Sequence, residues 1–384
     1  MEKKPTDKEN VKFYDTITNS EAIYKEENLT IVRYDLITRD KLLEMDKSDA
    51  LVLVAVSPLE VHGGFLPLGT DFLEARMMFE LIKDLLKERK KDKHYTIVET
   101  PPLPIGWSGL RGMVGTIHIR HKTFRDVVAQ YLEGFVLAGF KRILVSSAHH
   151  GNIHAYAIEE AALKVMKKHE ELEIRIASPL NSIVKKLMID DPKKTWAASA
   201  EKLNQPPLTE EEYEALNDDD HSSIMETSFV QYMNPELIDA SYKDKEPHTL
   251  GIEYGIKKLF LKRWAVYGDG PLGCGYNGRP AMTDSRDWFP LYADLIKDVG
   301  EEYIDALYEK SYEDFMEENS TSFFYGLVFL STGWRKRAVF LPLIIIIASL
   351  LIPPLFPWNL LTLLYFPLLF LFVFIKIRNV LNQT

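Results

Sequence analysis

The sequence predicts an α/β fold in which helices cover both faces of a mostly parallel sheet. Short β-branched runs alternate with amphipathic stretches of helical length through the first half of the chain, the pattern of repeated strand–helix–strand units. The 384 residues leave room for one large domain or two smaller ones, and the lone cysteine, Cys274, excludes a disulfide scaffold and a cysteine-rich zinc module.

In chain order, residues 1–30 are polar and predict a segment outside the core, ahead of a domain spanning 31–320. Residues 51–56, Leu-Val-Leu-Val-Ala-Val, form the continuous apolar run that a strand buried on both faces requires. A helix is predicted over 74–88, where Met77, Met78, Leu81, Ile82 and Leu85 recur at helical spacing. Further strands are predicted at 95–98, 142–146 and 173–177, and further helices at 122–137, 155–169 and 298–317. Residues 190–218, polar and proline-bearing, read as a surface insertion or flap. The Gly/Pro-rich stretch 268–281 reads as a loop; it lacks the Gly-x-x-x-x-Gly-Lys-Ser/Thr pattern of a phosphate cradle. In such sheets ligands gather outside the carboxyl ends of the strands, so the residues that follow each strand matter most.

The chain carries 46 Lys+Arg against 56 Asp+Glu, a formal net charge of −10, which argues against a nucleic-acid partner. That balance is uneven along the chain. No charged residue occurs from Ala338 to Ile375, while Arg335, Lys336 and Arg337 precede this run and Lys376 and Arg378 follow it. A run this apolar predicts a lipid-embedded hairpin over 338–376 behind a basic juxtamembrane linker at 321–337. Pro353, Pro354 and Pro357 divide it into two short or tilted spanning helices, or into a re-entrant pair. The basic flanks place both ends on the cytoplasmic side, and the polar start Met1–Asn10 has no apolar signal region, so the soluble domain is expected to face the cytoplasm.

The first strand runs into Glu60-Val-His62-Gly-Gly, with Asp71 arriving just before a helix. Glu60 and His62 are two apart and point to one side in extended chain. The third predicted strand, 142–146, leads into Ser147-Ala-His149-His150-Gly-Asn152, and Asp219-Asp220-His221 stands five residues before Glu226, with a helix expected to start near Ser222 or Ser223. Three acid/histidine clusters in a chain with ten histidines predict a site for Zn²⁺, Mn²⁺ or Fe²⁺.

These residues also carry a resemblance. Glu60-Val-His62-Gly, followed by Leu-Pro-Leu-Gly-Thr-Asp71, resembles the signature of the creatininase (creatinine amidohydrolase) family. His149-His150-Gly151-Asn152 and Asp219-Asp220-His221…Glu226-Thr-Ser228 are similar to that family's second and third motifs in the same order, and Gly278-Arg-Pro-Ala281 to a late loop. The similarity spans about residues 30–310 and leaves out the tail. It implies a three-layer α/β/α sandwich, assembly into a homo-oligomer and a dinuclear metal hydrolase. Glu60, Asp71 and His149 would hold one ion and His62, Asp71 and Glu226 the other, with Asp71 bridging. Two such cations polarise a carbonyl and ionise a bridging water near neutral pH, and His221 matches the position that assists proton transfer to the departing nitrogen.

The sequence departs from the family pattern at several points. His150 stands where glycine is common, Gly151 where a further glutamate ligand would lie, and Ser222-Ser223 where Ala-Gly is usual. The Gly106–Thr116 loop lacks the usual histidine and proline. The ligand set is kept while substrate-facing positions drift, and Trp107 and His150 become the candidates to line a pocket. The sequence thus predicts a membrane-anchored amidohydrolase that cleaves a cyclic amide, formamide or related C–N bond of a small molecule. Peptidase-like processing of a peptide or modified cofactor, or an inactive metal-binding scaffold at a membrane, are the alternatives.

Overall fold

Five successive buried residues, Leu51–Ala55, form the middle of the sheet, as their unbroken apolar run requires. The computed structural model describes residues 21–89, 93–188, 192–249 and 273–319. Within them the chain runs through β1 (Ile23–Glu26), β2 (Leu29–Arg33), α1 (Arg39–Glu44), β3 (Leu51–Ala55), α2 (Thr70–Arg89), β4 (Tyr95–Glu99), α3 (His121–Leu137), β5 (Arg142–Ser146), α4 (Asn152–Lys168) and β6 (Arg175–Ala177). There follow α5 (Leu180–Met188), α6 (Pro192–Lys202), α7 (Glu210–Asp218), α8 (Ile224–Met233), α9 (Phe289–Tyr308) and α10 (Tyr312–Asn319).

The sheet order is β1-β2-β4-β3-β5-β6; β1 pairs antiparallel with β2 and every other pairing is parallel. The helices divide into two groups: α3 packs on α4, and α2 packs on α8 and α9. Right-handed crossovers give the same division, because the β3–β4 connection runs one way across the sheet and the β4–β5 and β5–β6 connections run the other. The reversal lies between β3 and β5, so the crevice outside their carboxyl ends is the place for a ligand. One core joins the sheet to α2, α3 and α4, and a second, around Trp288, Tyr292 and Phe229, lies among α2, α5, α6, α8 and α9.

Three expectations change. The sheet begins at Ile23, inside the segment expected to be polar, because β1 is an edge strand whose alternate residues stay exposed and give a weak apolar signal. The stretch 190–218 holds α6 and α7, which bury Trp196, Ala200, Ala215 and Leu216 in the second core. Its helical signal is a capping box, in which Thr209 accepts from the Glu212 backbone N–H and Glu212 accepts from that of Thr209. The last predicted helix is two, α9 and α10, separated at Glu309–Ser311. Residues 1–20, the linker 321–337 and the hairpin 338–376 lie outside the described residues. Among the described residues no helix is long and apolar enough to cross a membrane.

α2 is tied to β4 by a buried charge network. Lys83, 3% exposed, reaches Glu99 at 2.9 Å and Glu80 at 2.8 Å, and Arg76 reaches Glu99 at 3.1 Å. Glu99→Ala leaves the Lys83 ammonium buried beside one partially exposed partner, and we expect a loss of about 3–5 kcal/mol in urea unfolding.

Candidate metal centre

Each segment of the site follows a strand or opens a helix at the β3/β5 crevice. Beyond β3 the chain folds back on itself: the Glu60 backbone N–H donates to Leu68 O at 2.9 Å and Leu66 N–H to His62 O at 3.3 Å. The Thr70 hydroxyl donates to Pro67 O at 2.8 Å, which starts α2 with Asp71 in its first turn, where the helix dipole favours a carboxylate. His149 lies between β5 and α4. Glu226 lies in the first turn of α8, its Oε2 accepting from the Ser222 N–H at 2.5 Å.

The fold brings Glu60, His62, Asp71, His149 and Glu226 together and buries all of them. His149 Nδ1 is 3.1 Å from both Glu60 Oε1 and Asp71 Oδ2. His62 Nε2 is 3.3 Å from Asp71 Oδ1 and 3.5 Å from Glu226 Oε2. Glu60, Asp71 and His149 thus form one group of convergent donors and His62, Asp71 and Glu226 another, with one Asp71 oxygen turned to each, and Glu60 and His62 also converge with His221. Although buried, neither Asp71 oxygen has a hydrogen-bond donor of good geometry. Buried, convergent and incompletely satisfied N/O donors fit two divalent cations.

Neighbouring hydrogen bonds set the tautomers. His62 Nδ1 is 3.0 Å from its own segment's Glu60 O, so Nδ1–H donates there and Nε2 faces the carboxylates. His221 Nε2 is 2.8 Å from Val61 O, so Nε2–H donates there and the Nδ1 lone pair faces inward, 3.8 Å from Glu60 Oε1 and 3.9 Å from Glu226 Oε2.

Without cations the carboxylates dominate the electrostatics. Burial alone would lower His62, but Glu226 and Asp71 outweigh it and hold the imidazole well above its ordinary value. By the same competition Glu60 and Asp71 raise His149 to about 10. Against the cost of burial, the His149 imidazolium pulls Glu60 down to about 2. Glu226 is pushed up to about 8 by burial, which outweighs the pull of His62. Burial and then the His62 charge bring His221 down to about 4.

The substrate-lining candidates, Trp107 and His150, are not among these donors. His150 is buried but belongs to none of the convergent donor groups among the described residues. Trp107 packs on the main core, edge-on to His118 at 5.7 Å, with its indole N–H buried and lacking an acceptor. The departure at Gly151 has a steric reason: an added Cβ would lie 2.4 Å from His149 Nε2, so this His149 orientation and a side chain at 151 exclude each other.

Two residues of the site were missed in the sequence. Glu74, 2% exposed, sits one helical turn after Asp71, and burial together with Glu226 and Asp71 raises its carboxyl well above the usual range. The i, i+3 spacing from Asp71 was its only signal. His154, fully buried, takes part in a Ser57–Ser147–His154 chain with contacts of 3.1 and 3.0 Å and stands edge-on to His149 at 5.0 Å.

A loop from the far end of the domain closes over His221. Gly278 has φ of +140°, and a Cβ there would lie 2.2 Å from Ser223 Oγ. Ser223 Oγ in turn accepts from the Arg279 N–H at 2.9 Å, which gives this serine a structural use. Gly278→Ala should therefore displace the 221–223 turn, lowering turnover roughly 10-fold through misplacement of His221 while metal content stays unchanged in elemental analysis.

The family model described as creatininase, creatinine amidohydrolase, matches residues 35–283, more than half of the chain. The chain belongs to the creatininase family. As a creatininase-family protein it is a hydrolase of carbon–nitrogen bonds other than peptide bonds. Solved structures give the following similarities. A creatinine amidohydrolase (creatininase) is 16% identical, covering 76% of this chain and 98% of its own, with a TM-score of 0.45. A Bacteroides fragilis protein assigned as a creatinine amidohydrolase is 17% identical, covering 78% and 99%, with a TM-score of 0.48. A manganese form of creatininase is 15% identical, covering 75% and 99%, with a TM-score of 0.46. No curated protein matches the sequence.

Proposed function

We propose that this creatininase-family chain is a membrane-anchored, dinuclear metal-dependent amidohydrolase that cleaves the C–N bond of a small cyclic amide or formamide-like molecule. The observation that carries this reading is the buried Asp71 carboxylate, whose two oxygens serve two separate donor groups. Glu60, Asp71 and His149 would hold one ion, and His62, Asp71 and Glu226 the other; N/O donors of this kind suit Zn²⁺, Mn²⁺ or Fe²⁺. Bound there, the ions supply Lewis acidity at the amide carbonyl and a water acidic enough to ionise near neutral pH.

His221 supplies the proton transfer. Anchored through Nε2–H on Val61 O with its Nδ1 lone pair turned inward, it accepts a proton at Nδ1 and delivers it to the departing amide nitrogen. Trp107 and His150 are proposed to contact the substrate. Residues 338–376 are proposed to hold the domain at a membrane with the site on the cytoplasmic side; the support is a chain without charge from Ala338 to Ile375 between basic flanks. Homo-oligomeric assembly is proposed on the family resemblance alone.

The test is metal analysis joined to a hydrolysis screen of small amides. Close to two transition-metal ions per chain and release of amine or ammonia from a cyclic amide or formamide are expected, and a fully folded protein that takes up neither ion would end this reading. His221→Asn should cut kcat by about 10²–10⁴-fold with both ions retained.

A further inference from the structure

We infer that Asn277 is the positioning residue for His221; the inference rests on the proton-transfer role just proposed. Four features place it there. The His221 backbone N–H donates to Asn277 O at 3.1 Å, and the Asn277 N–H donates to His221 O at 2.8 Å, so the two residues form an isolated antiparallel bridge. The Asn277 side-chain amide donates through Nδ2 to Asp220 Oδ2 at 2.9 Å, gripping the residue immediately before His221. Asn277 is 2% exposed, and its Oδ1 has no hydrogen-bond partner. The next residue, Gly278, continues the clamp with a reciprocal pair of backbone bonds to His248, at 3.0 and 2.7 Å.

The physical need for such a clamp lies in the imidazole itself. His221 enters the site from a segment with little regular structure, next to Ser222 with φ of +49°. Its ring is held by Nε2–H to Val61 O and lies 4.5 Å from the His62 ring. A shift of the backbone at 221 would pull Nε2–H off Val61 O and let the ring turn Nδ1 away from the carboxylates. Fixing the backbone on both sides of the ring, through the Asn277 main chain and through Asp220, leaves the side chain one productive approach. A backbone bridge alone would tolerate any residue at 277. The bond from Nδ2 to Asp220 gives the asparagine side chain its specific part.

Histidine-selective ¹⁵N NMR on the zinc-loaded full chain tests this, with the His221 signals assigned by His221→Asn. In the parent protein His221 should show one pyrrole-like and one pyridine-like nitrogen, the signature of a single Nε2–H tautomer. In Asn277→Ala these two signals should collapse toward a common averaged position, while the His62 and His149 signals and the zinc content stay as in the parent. Asn277→Asp sets a second carboxylate against Asp220. There the averaging should be at least as strong as in Asn277→Ala at neutral pH, with zinc content and the circular dichroism spectrum unchanged, a combination that general loss of structure would not give. Unchanged His221 signals in both variants would overturn the inference. Zinc failing to bind the parent protein would instead count against the dinuclear reading.

Discussion

Asp71→Ala should remove both metal ions at once. The Asp71 oxygens face His149 Nδ1 at 3.1 Å and His62 Nε2 at 3.3 Å, so one substitution takes a donor from both groups that contain Asp71. Glu226→Ala and His149→Ala each break only one group and should leave one ion in place. Turnover in the Asp71 variant should drop on the order of 10⁴-fold, because Lewis acidity and the acidic water are lost together. Elemental analysis of the three purified variants, with circular dichroism to show that each is folded, makes the comparison. A loss of one ion in Asp71→Ala, equal to that in Glu226→Ala, would remove the bridging role.

The second large effect is a pair of opposite pH dependences. In the metal-free protein His149 is held at about 10 and His62 well above its ordinary value by surrounding carboxylates, so each ion must displace imidazole protons as it binds. Metal affinity should therefore weaken as pH falls, by about tenfold per unit for each proton displaced. The folding stability of the metal-free protein should move the other way. A histidine raised from about 6.5 contributes stability that is complete below that value and is lost as pH climbs through about 10. Glu226, raised to about 8, adds a cost of ionisation over the same rise. Glu60 works at the acid end: held down at about 2, it contributes above about 4.5 and loses that contribution as pH falls through about 2. Chelator-stripped protein should thus melt at lower temperature at pH 9 than at pH 6, while zinc competition assays show tighter binding at pH 9. A metal affinity that does not change between pH 6 and pH 9 would contradict the proton displacement.

Much of the fold could be read because its signals are local. The run Leu51–Ala55, the helical spacing from Met77 to Leu85 and the β-branched run Arg142–Ser146 each declare an element within one short window, and each sits in the structure within a few residues of its predicted place. Where the window holds few apolar residues among many charged ones, the signal fades. Trp196, Ala200, Ala215 and Leu216 are buried, yet lysines and glutamates around them concealed α6 and α7. The edge strand β1 was concealed in the same way, by Lys25 and Glu26, which make up half of its four residues.

The element alternation, the position of acids and histidines at strand ends, and the family signature from Glu60 to Asp71 are all legible in the residues alone. Those follow from residue type and short-range period, which need no knowledge of neighbours distant along the chain. Only the tertiary structure decided that His149 meets Glu60 and Asp71, that Val61 O fixes the tautomer of His221, and that Asn277 bridges it. The physical reason is the order of strands: placing β3 beside β5 joins loops almost ninety positions apart (the Ser57–Ser147 contact spans 90), and no local pattern encodes that adjacency. Buried charge then finds its partner across the fold, since a carboxylate or imidazole removed from water must be satisfied by whatever the packing brings near.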